Sequence, residues 1–284
     1  MAQKKKLIFN MDAVLAIDIG GTKTQVAVIR TLNKTSLLKK NRKKIKILHY
    51  HKFLTPKDPA KTIKLICDFS RSLNIQFKQM SLSLPGLWSN KGVLLESDFL
   101  SAWVGYPFIN KLSNALKIKK YIWETDVICG GLGEYYFSKR QCLSLLYINL
   151  GTGIGASFIR DGKPFKSTGG LTIRLQRLLA PNKNKLIPAT NLICGGNLLK
   201  YKNIPEGSYV QLSCLLMNLY YLFAPECIVL NGGLTYDWDL LCSKACKLIY
   251  PEVRKKIKII PSELKELAPI YGAYVNLLLN EGVK

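Results

Sequence analysis

Residues 13–29, Ala-Val-Leu-Ala-Ile-Asp-Ile-Gly-Gly-Thr-Lys-Thr-Gln-Val-Ala-Val-Ile, are the stretch on which the fold turns. An apolar run closes at Gly20-Gly21, and a second apolar run from Gln25 to Ile29 follows at once. Two such runs around a glycine turn predict a β-hairpin. Glycine lets the backbone approach a ligand closely, and successive N–H groups in such turns form anion-binding nests. Thr22 and Thr24 add hydroxyl donors suited to phosphate oxygens.

The same pattern returns further along. Ser144-Leu-Leu-Tyr-Ile-Asn-Leu turns at Gly151-Thr152-Gly153 and continues from Ile154 to Ile159, so residues 14–29 and 144–159 form a crude internal repeat. A third apolar run, Pro225-Glu-Cys-Ile-Val-Leu, ends at Asn231-Gly232-Gly233. Any one of these turns alone reads as an ordinary hairpin. Three in this order, with Asp126 between the first two, is far more specific. There is neither a GxxxxGK[ST] loop nor a GxGxxG at a strand-to-helix junction, which disfavours P-loop and Rossmann folds.

Between the turns, Ile45–Phe53 predicts a strand and Pro59–Ser72 a helix, with Ile63, Ile66, Cys67 and Phe69 on one side. Met80-Ser-Leu-Ser-Leu alternates as a strand and stops at Pro85-Gly86. Lys120–Trp123 reads as a buried strand leading into Glu124-Thr-Asp, and 127–137 as a helix despite glycines at 130, 131 and 133. Asp161-Gly162 predicts a tight turn, and Val210–Phe223 an apolar helix. No linker rich in Pro, Gly or Ser separates the two repeats, which implies two α/β domains packed directly together.

Composition bounds the rest. The chain has 284 residues, 48% of them hydrophobic, enough for a large core. Its 42 Lys+Arg against 18 Asp+Glu give a net charge of +24. Such a balance points to nucleic acid, an anionic membrane or an anionic ligand. Lysine far outnumbers arginine, whereas nucleic-acid readers favour arginine forks, so a lysine-rich background is the plainer reading. The basic run of residues 33–46 allows only non-specific nucleic-acid contact. Eight cysteines show no CxxC pair, and Cys242 and Cys246 share one helical face, so no zinc site is expected. With His49 and His51 as the only histidines and no nucleophile motif beside them, a histidine-based triad is disfavoured. The basic start at Lys4-Lys-Lys lacks a signal-peptide pattern, and no run of 18 apolar residues occurs, so a soluble, cytoplasmic protein without membrane attachment is expected.

Taken together, the motifs resemble the ROK family (repressors, uncharacterised reading frames and sugar kinases) and the related bacterial glucokinases of the actin and hexokinase superfamily. Leu15-Ala-Ile-Asp-Ile-Gly-Gly-Thr-Lys-Thr is similar to the first phosphate motif, and Leu146-Tyr-Ile-Asn-Leu-Gly-Thr-Gly-Ile-Gly to the second. Pro225-Glu-Cys-Ile-Val-Leu-Asn-Gly-Gly-Leu resembles the adenosine motif. Leu84-Pro-Gly resembles the turn that opens the sugar cleft, and Gly131-Leu-Gly-Glu the end of the helix after the catalytic aspartate.

The resemblance implies two ribonuclease-H-like (actin-like ATPase) α/β lobes with an interlobe cleft for MgATP and a sugar. The smaller N-terminal lobe would comprise residues 13–122 and 270–284, and the larger C-terminal lobe residues 123–269, with 1–12 a basic tail. Asp126 would be general base on a sugar hydroxyl; Asp18 would orient Mg²⁺ through water. Nucleotide contacts fall on Asp18, Gly20, Gly21, Thr22, Lys23, Thr24, Gly151, Thr152, Gly153, Gly232 and Gly233. Gly86, Asp98, Thr125 and Arg174 fall on the sugar side. Read without the resemblance, Asp126 caps the helix at 127–137 and Asp18 ends a strand.

The departures from the family pattern cluster on the sugar side. Thr125 replaces the family's Asn before the catalytic Asp, and Gly169-Gly-Leu-Thr-Ile-Arg174 replaces Ala-Gly-Glu-x-Gly-His. Thr190, ahead of Cys194-Gly195, stands where a later sugar-binding Glu is expected, and the cysteine-rich zinc motif is missing. Arg174 fits an anionic acceptor such as a sugar acid or phosphorylated sugar, or is a surface residue of a drifted loop. The resemblance therefore implies ATP-dependent phosphorylation of a sugar or sugar-derivative hydroxyl, or a nucleotide-binding sensor or scaffold without kinase activity. The repressor branch would need a helix-turn-helix that the dozen residues before the first strand do not provide. A homodimer is implied by the resemblance alone.

Overall fold

The computed structural model describes residues 13–30, 45–139, 142–167, 172–182, 184–194, 198 and 204–280. The basic run at 33–44 and the segment Gly169-Gly170-Leu171 therefore lie outside the described residues, as do the tail 1–12 and Gly195. The chain divides into two compact units, Met1–Cys129 with Ala273–Lys284, and Gly130–Gly272.

In the first unit, β1 (Ala13–Ile19), β2 (Lys23–Arg30) and β3 (Ile47–Leu54) form an antiparallel meander. β4 (Gln79–Leu84) adds parallel to β1, and β5 (Lys120–Thr125) adds parallel to β4. The sheet order is thus 3-2-1-4-5. Helices α1 (Pro59–Ser72) and α2 (Phe108–Leu116) supply the crossovers that parallel strands require. Asp58 caps α1 by accepting from the Ala60 amide at 2.9 Å, and Pro59 opens it where a missing N–H costs nothing. Leu15, Ile17, Val26, Met80, Ile66 and Phe108 fill the core, where Trp103 stacks on Phe108 at 4.7 Å.

The second unit repeats that plan. β6 (Ser144–Leu150), β7 (Ile154–Arg160) and β8 (Lys163–Pro164) are antiparallel, and β9 (Cys227–Asn231) and β10 (Lys258–Pro261) continue in parallel. The order is again 3-2-1-4-5 in the strands' own sequence. Asp161 and Gly162, at φ 51° and 75°, make the tight turn between β7 and β8 that their residue types predict. The repeat of glycine turns is therefore a repeat of ribonuclease-H-like sheets. Leu146, Ile148, Leu230 and, from α4 (Glu206–Phe223), Leu212, Leu216 and Leu219 form its core. α4 begins four residues before the apolar stretch at Val210, immediately after Pro205.

One expectation is corrected. Lys120–Trp123 is half-buried, because β5 is the edge strand of its sheet. Conversely, Met80–Leu84 is buried on both faces although its sequence alternates. Ser81 and Ser83 are not solvent-facing: their hydroxyls donate to the Ala273 carbonyl and to Asp18.

The glycines of α3 (Asp126–Phe137) are explained by what surrounds them. A Cβ on Gly130 would enter the Tyr147 ring, one on Gly131 would strike Ser157 Oγ, and one on Gly133 would meet the carbonyl of Ala268. Ala268 opens α5 (Ala268–Leu279), so Gly133 is a point of close helix–helix approach. Gly133→Ala is expected to destabilise the protein by about 1–3 kcal/mol. In an unobstructed helix the same change stabilises by up to about 1 kcal/mol. Denaturant unfolding reads the sign directly; a gain in stability would refute this packing.

Candidate active site

Three parallel strands of the first unit end together, and the site is built on those ends. Asp18 is the sixth residue of β1, Ser83 the fifth of β4, and Asp126 follows β5 and opens α3. In open α/β sheets this carboxyl edge is where ligands bind, because the loops there carry the exposed backbone N–H groups. Asp18 is buried, with Oδ1 accepting from Ser83 Oγ at 2.6 Å and Oδ2 from Gln25 Nε2 at 3.0 Å. Tyr50 Oη donates to Gln25 Oε1 at 2.7 Å, which fixes the direction of the Gln25 amide.

Burial dominates the electrostatics. It lifts the Asp18 carboxyl from 3.8 to about 7, against the Ser83 and Gln25 hydrogen bonds and with help from the negative charge of Asp126. Asp126 is half-buried, and desolvation lifts it to about 6 although the amides of Val127 and of Asp126 itself favour its ionised form. Asp126 Oδ1 accepts from the Val127 amide at 2.9 Å. Cys129, three residues along α3, is fully buried; desolvation and then the carboxylates of Glu124, Asp18 and Asp126 push its thiol well above the usual range. It stays a neutral thiol.

The first glycine turn is closed by Gly20 N–H donating to the Lys23 carbonyl at 2.9 Å. Thr55 pins it from the end of β3: its hydroxyl donates to the Gly20 carbonyl at 2.8 Å and its amide to the Thr22 carbonyl at 3.0 Å. Thr22 and Lys23 are exposed, and Gly20 and Gly21 partly so. Gly21 has no room for a side chain, since a Cβ would strike Phe99. Thr24 behaves differently from the expectation. It is fully buried and paired with Thr55 Oγ1 at 2.9 Å, and because that Thr55 proton goes to Gly20, Thr24 must donate its own to Thr55. Its hydroxyl is therefore part of the turn's scaffold, unlike the exposed Thr22.

In the second unit two of the predicted turns meet. Gly232 has φ 101°, and a Cβ there would collide with the backbone of Leu150 and Gly151. Only glycine permits that approach. Thr152 and Gly233 are exposed, and Gly151 and Gly153 partly so. Asn231 is buried between these turns and the sheet; its Nδ2 donates to Tyr147 Oη at 2.5 Å, and its Oδ1 has no hydrogen-bond partner.

Of the residues expected on the sugar side, Thr125 adjoins Asp126 at the end of β5, and its Oγ1 is buried with no hydrogen-bond partner. Gly86, at φ 86°, is exposed and lies against Glu96 and Ser97, while Asp98 is exposed in the same loop region. Arg174 is half-buried at the start of the short helical turn Leu175–Arg177. Sequence reasoning missed Ser83, Gln25, Tyr50, Thr55 and Cys129. The legible signal for the first two was a polar residue within an otherwise apolar run.

Among the described residues no three His, Cys, Asp or Glu side chains gather as a metal cluster, and no helix is long and apolar enough to cross a membrane.

Paired ribonuclease-H-like sheets, each carrying a glycine turn after its first strand, define the two-lobed fold of the actin-like ATPases. The model of the ROK family matches residues 14–175, and the chain belongs to that family. It is 24% identical over 292 residues to the N-acetyl-D-glucosamine kinase of Haemophilus influenzae, covering 86% of this chain and 91% of that protein. With the bifunctional enzyme NanE/NanK of Brucella melitensis it shares 22% identity over 251 residues, 78% of this chain but 45% of that protein. The chain spans less than two thirds of the length of the first curated relatives it matches. A ROK family glucokinase from Streptomyces griseus in complex with glucose and AMPPNP superposes with a TM-score of 0.74 at 19% identity, covering 93% of this chain and 98% of that one. A ROK family transcriptional regulator, a homologue of the E. coli MLC protein, gives 0.71 at 13% identity, covering 94% and 78%.

Proposed function

We propose that this chain transfers the γ-phosphoryl group of ATP to a hydroxyl of a sugar or sugar derivative, with Asp126 as general base. The observation that carries this reading is the pair of carboxylates at the strand ends. Asp18 is held rigidly by Ser83 and Gln25, while Asp126 stands at a helix start with a pKa of about 6. A base poised near neutrality that stays ionised at cellular pH suits removal of a hydroxyl proton. Phosphoryl transfer otherwise needs positioning and charge neutralisation more than covalent chemistry.

The residues present fit magnesium and a nucleotide. The charge of Asp126 raises the cost of ionising the buried Asp18, so a divalent cation beside them would relieve both carboxylates at once. Each Asp18 oxygen already accepts one hydrogen bond, leaving it a second lone pair for a cation-bound water. When bound, Mg²⁺ neutralises the phosphate oxygens through which charge passes. Gly21, Thr22 and Lys23 supply N–H, hydroxyl and ammonium donors in the first unit, on the turn that the Gly20 N–H closes. Gly151, Thr152, Gly153, Gly232 and Gly233 supply N–H and hydroxyl donors in the second unit. Thr24 supports the first turn from beneath. On the acceptor side, the Thr125 hydroxyl is unoccupied beside the base and suits a sugar hydroxyl. Arg174 adds a cation suited to an acidic or phosphorylated sugar.

An ADP-release assay with MgATP across neutral, amino, acidic and phosphorylated sugars tests the proposal. Sugar-dependent release is expected, with the largest response to an anionic sugar. MgATP binding with no sugar-dependent release from any acceptor would favour the second reading, a nucleotide-binding protein without kinase activity. The observation favouring that reading is the sequence at Leu171 and Arg174, where the family's Glu and His sugar ligands are missing.

A further inference from the structure

Far from the glycine turns, at the opposite ends of the same strands, two thiols touch. Cys142 lies two residues before β6 and Cys227 is the first residue of β9, and their Sγ atoms are 3.1 Å apart across 85 residues of sequence. β6 and β9 are adjacent and parallel, with Cys227 opposite Leu145. The contact is framed on both sides. The Leu143 amide donates to Glu226 Oε2 at 3.0 Å, and the Glu226 amide donates to Ser144 Oγ at 3.0 Å. The backbone that carries the two sulfurs is therefore already stitched together, and little movement separates contact from bonding distance. Their accessibility differs: Cys227 is buried, Cys142 is partly exposed.

We propose that Cys142 and Cys227 are a peroxide-oxidisable dithiol that closes to a disulfide across the base of the second sheet. The partly exposed Cys142 reacts first. Its thiolate attacks one peroxide oxygen, the O–O bond breaks, hydroxide leaves and takes up a proton, and Cys142 becomes a sulfenic acid. Cys227 sulfur then attacks Cys142 sulfur, the S–O bond breaks, and the departing hydroxide leaves as water with the Cys227 proton. Two thiols and one hydrogen peroxide yield one disulfide and two waters; the two electrons lost by sulfur reduce the peroxide oxygens. A dithiol reductant reverses the step. The product covalently joins β6 and β9, whose far ends carry the Gly151 and Gly232 turns. The proposal is independent of the phosphoryl-transfer reading.

The test treats the full-length reduced protein with hydrogen peroxide, alkylates the remaining thiols and maps disulfide-linked peptides by mass spectrometry. Exposed Cys214 serves as the internal marker that reagents have reached the protein. The expected result is a Cys142–Cys227 linked peptide about 2 Da lighter than its two reduced peptides together, reversed by dithiothreitol. The oxidised protein should melt about 5–10 °C higher than the reduced one, a difference absent in Cys142→Ser. Alkylation of Cys142 and Cys227 as free thiols after peroxide treatment that has oxidised Cys214 would overturn the proposal. So would their pairing with other cysteines instead. Both readouts on the unsubstituted chain stand even if the variant fails to fold.

Discussion

Asp126→Asn is expected to lower sugar-dependent ADP release by about 10²–10⁴-fold, in kcat and not in KM for MgATP. The amide keeps the shape of the carboxylate and can still accept from the Val127 amide, so α3 keeps its start. What is lost is the lone pair proposed to take the hydroxyl proton as the phosphoryl group arrives. The nucleotide turns lie on other segments, which is why MgATP binding should survive. In the unsubstituted chain kcat/KM should fall as pH drops through about 6, because the base is then protonated. A variant with less than tenfold loss, measured on the sugar that gives the largest rate, would reduce Asp126 to a helix cap.

Asp18→Asn separates stability from function. The carboxyl is raised from 3.8 to about 7 in the folded protein by burial. Between those values the folded chain binds more protons than the unfolded one. Stability contributed by this group is therefore present in full below about pH 4 and is lost as pH rises towards 7. Folding at neutral pH carries a cost of about 2–4 kcal/mol for holding this charge inside, once partial solvent screening is allowed for. The asparagine removes that cost while keeping its shape. Its oxygen can accept from Gln25, and its amide can donate to Ser83, whose hydroxyl rotates to accept. In chelator-containing buffer the variant should melt about 5–10 °C above the unsubstituted chain near pH 8, with little difference near pH 4. Phosphoryl transfer should drop by at least about 10²-fold, because the proposed role of this carboxylate is to orient magnesium. A variant that is destabilised near pH 8 would show that Asp18 is a structural carboxylate held by its donors rather than a charge kept at a cost for chemistry.

These two carboxylates also show how unevenly the site can be read from sequence. The positions of Asp18 and Asp126 are legible because each sits at a boundary that local rules detect, while their proposed roles come from the family resemblance. One ends an apolar run before Gly-Gly; the other starts a helix after a strand. Gln25 faces Asp18 across the predicted hairpin, whereas Ser83 and Tyr50 are not legible in the same way, since their roles depend on which distant strands become neighbours. The period-2 pattern of Met80–Leu84 points its serines to solvent, as it would in a half-exposed strand. Placing β4 between β1 and β5 buries both faces and turns Ser83 into the principal partner of Asp18. Thr24 is the converse case. Its position beside the glycines reads as a phosphate donor, but the approach of Thr55 from β3 consumes its proton.

The sequence by itself determined the repeated strand–turn–strand units, the three glycine turns and the two aspartates, because each depends on residues within about ten positions of one another. Backbone chirality and glycine's freedom act at that range. Tertiary structure alone decided which polar side chains meet the aspartates, how far burial lifts their pKa values and why α3 needs its glycines. It also brought Cys142 to Cys227. Gln25 aside, those outcomes depend on contacts between residues from 17 to 135 positions apart, and only the pairing of strands and the packing of helices creates them.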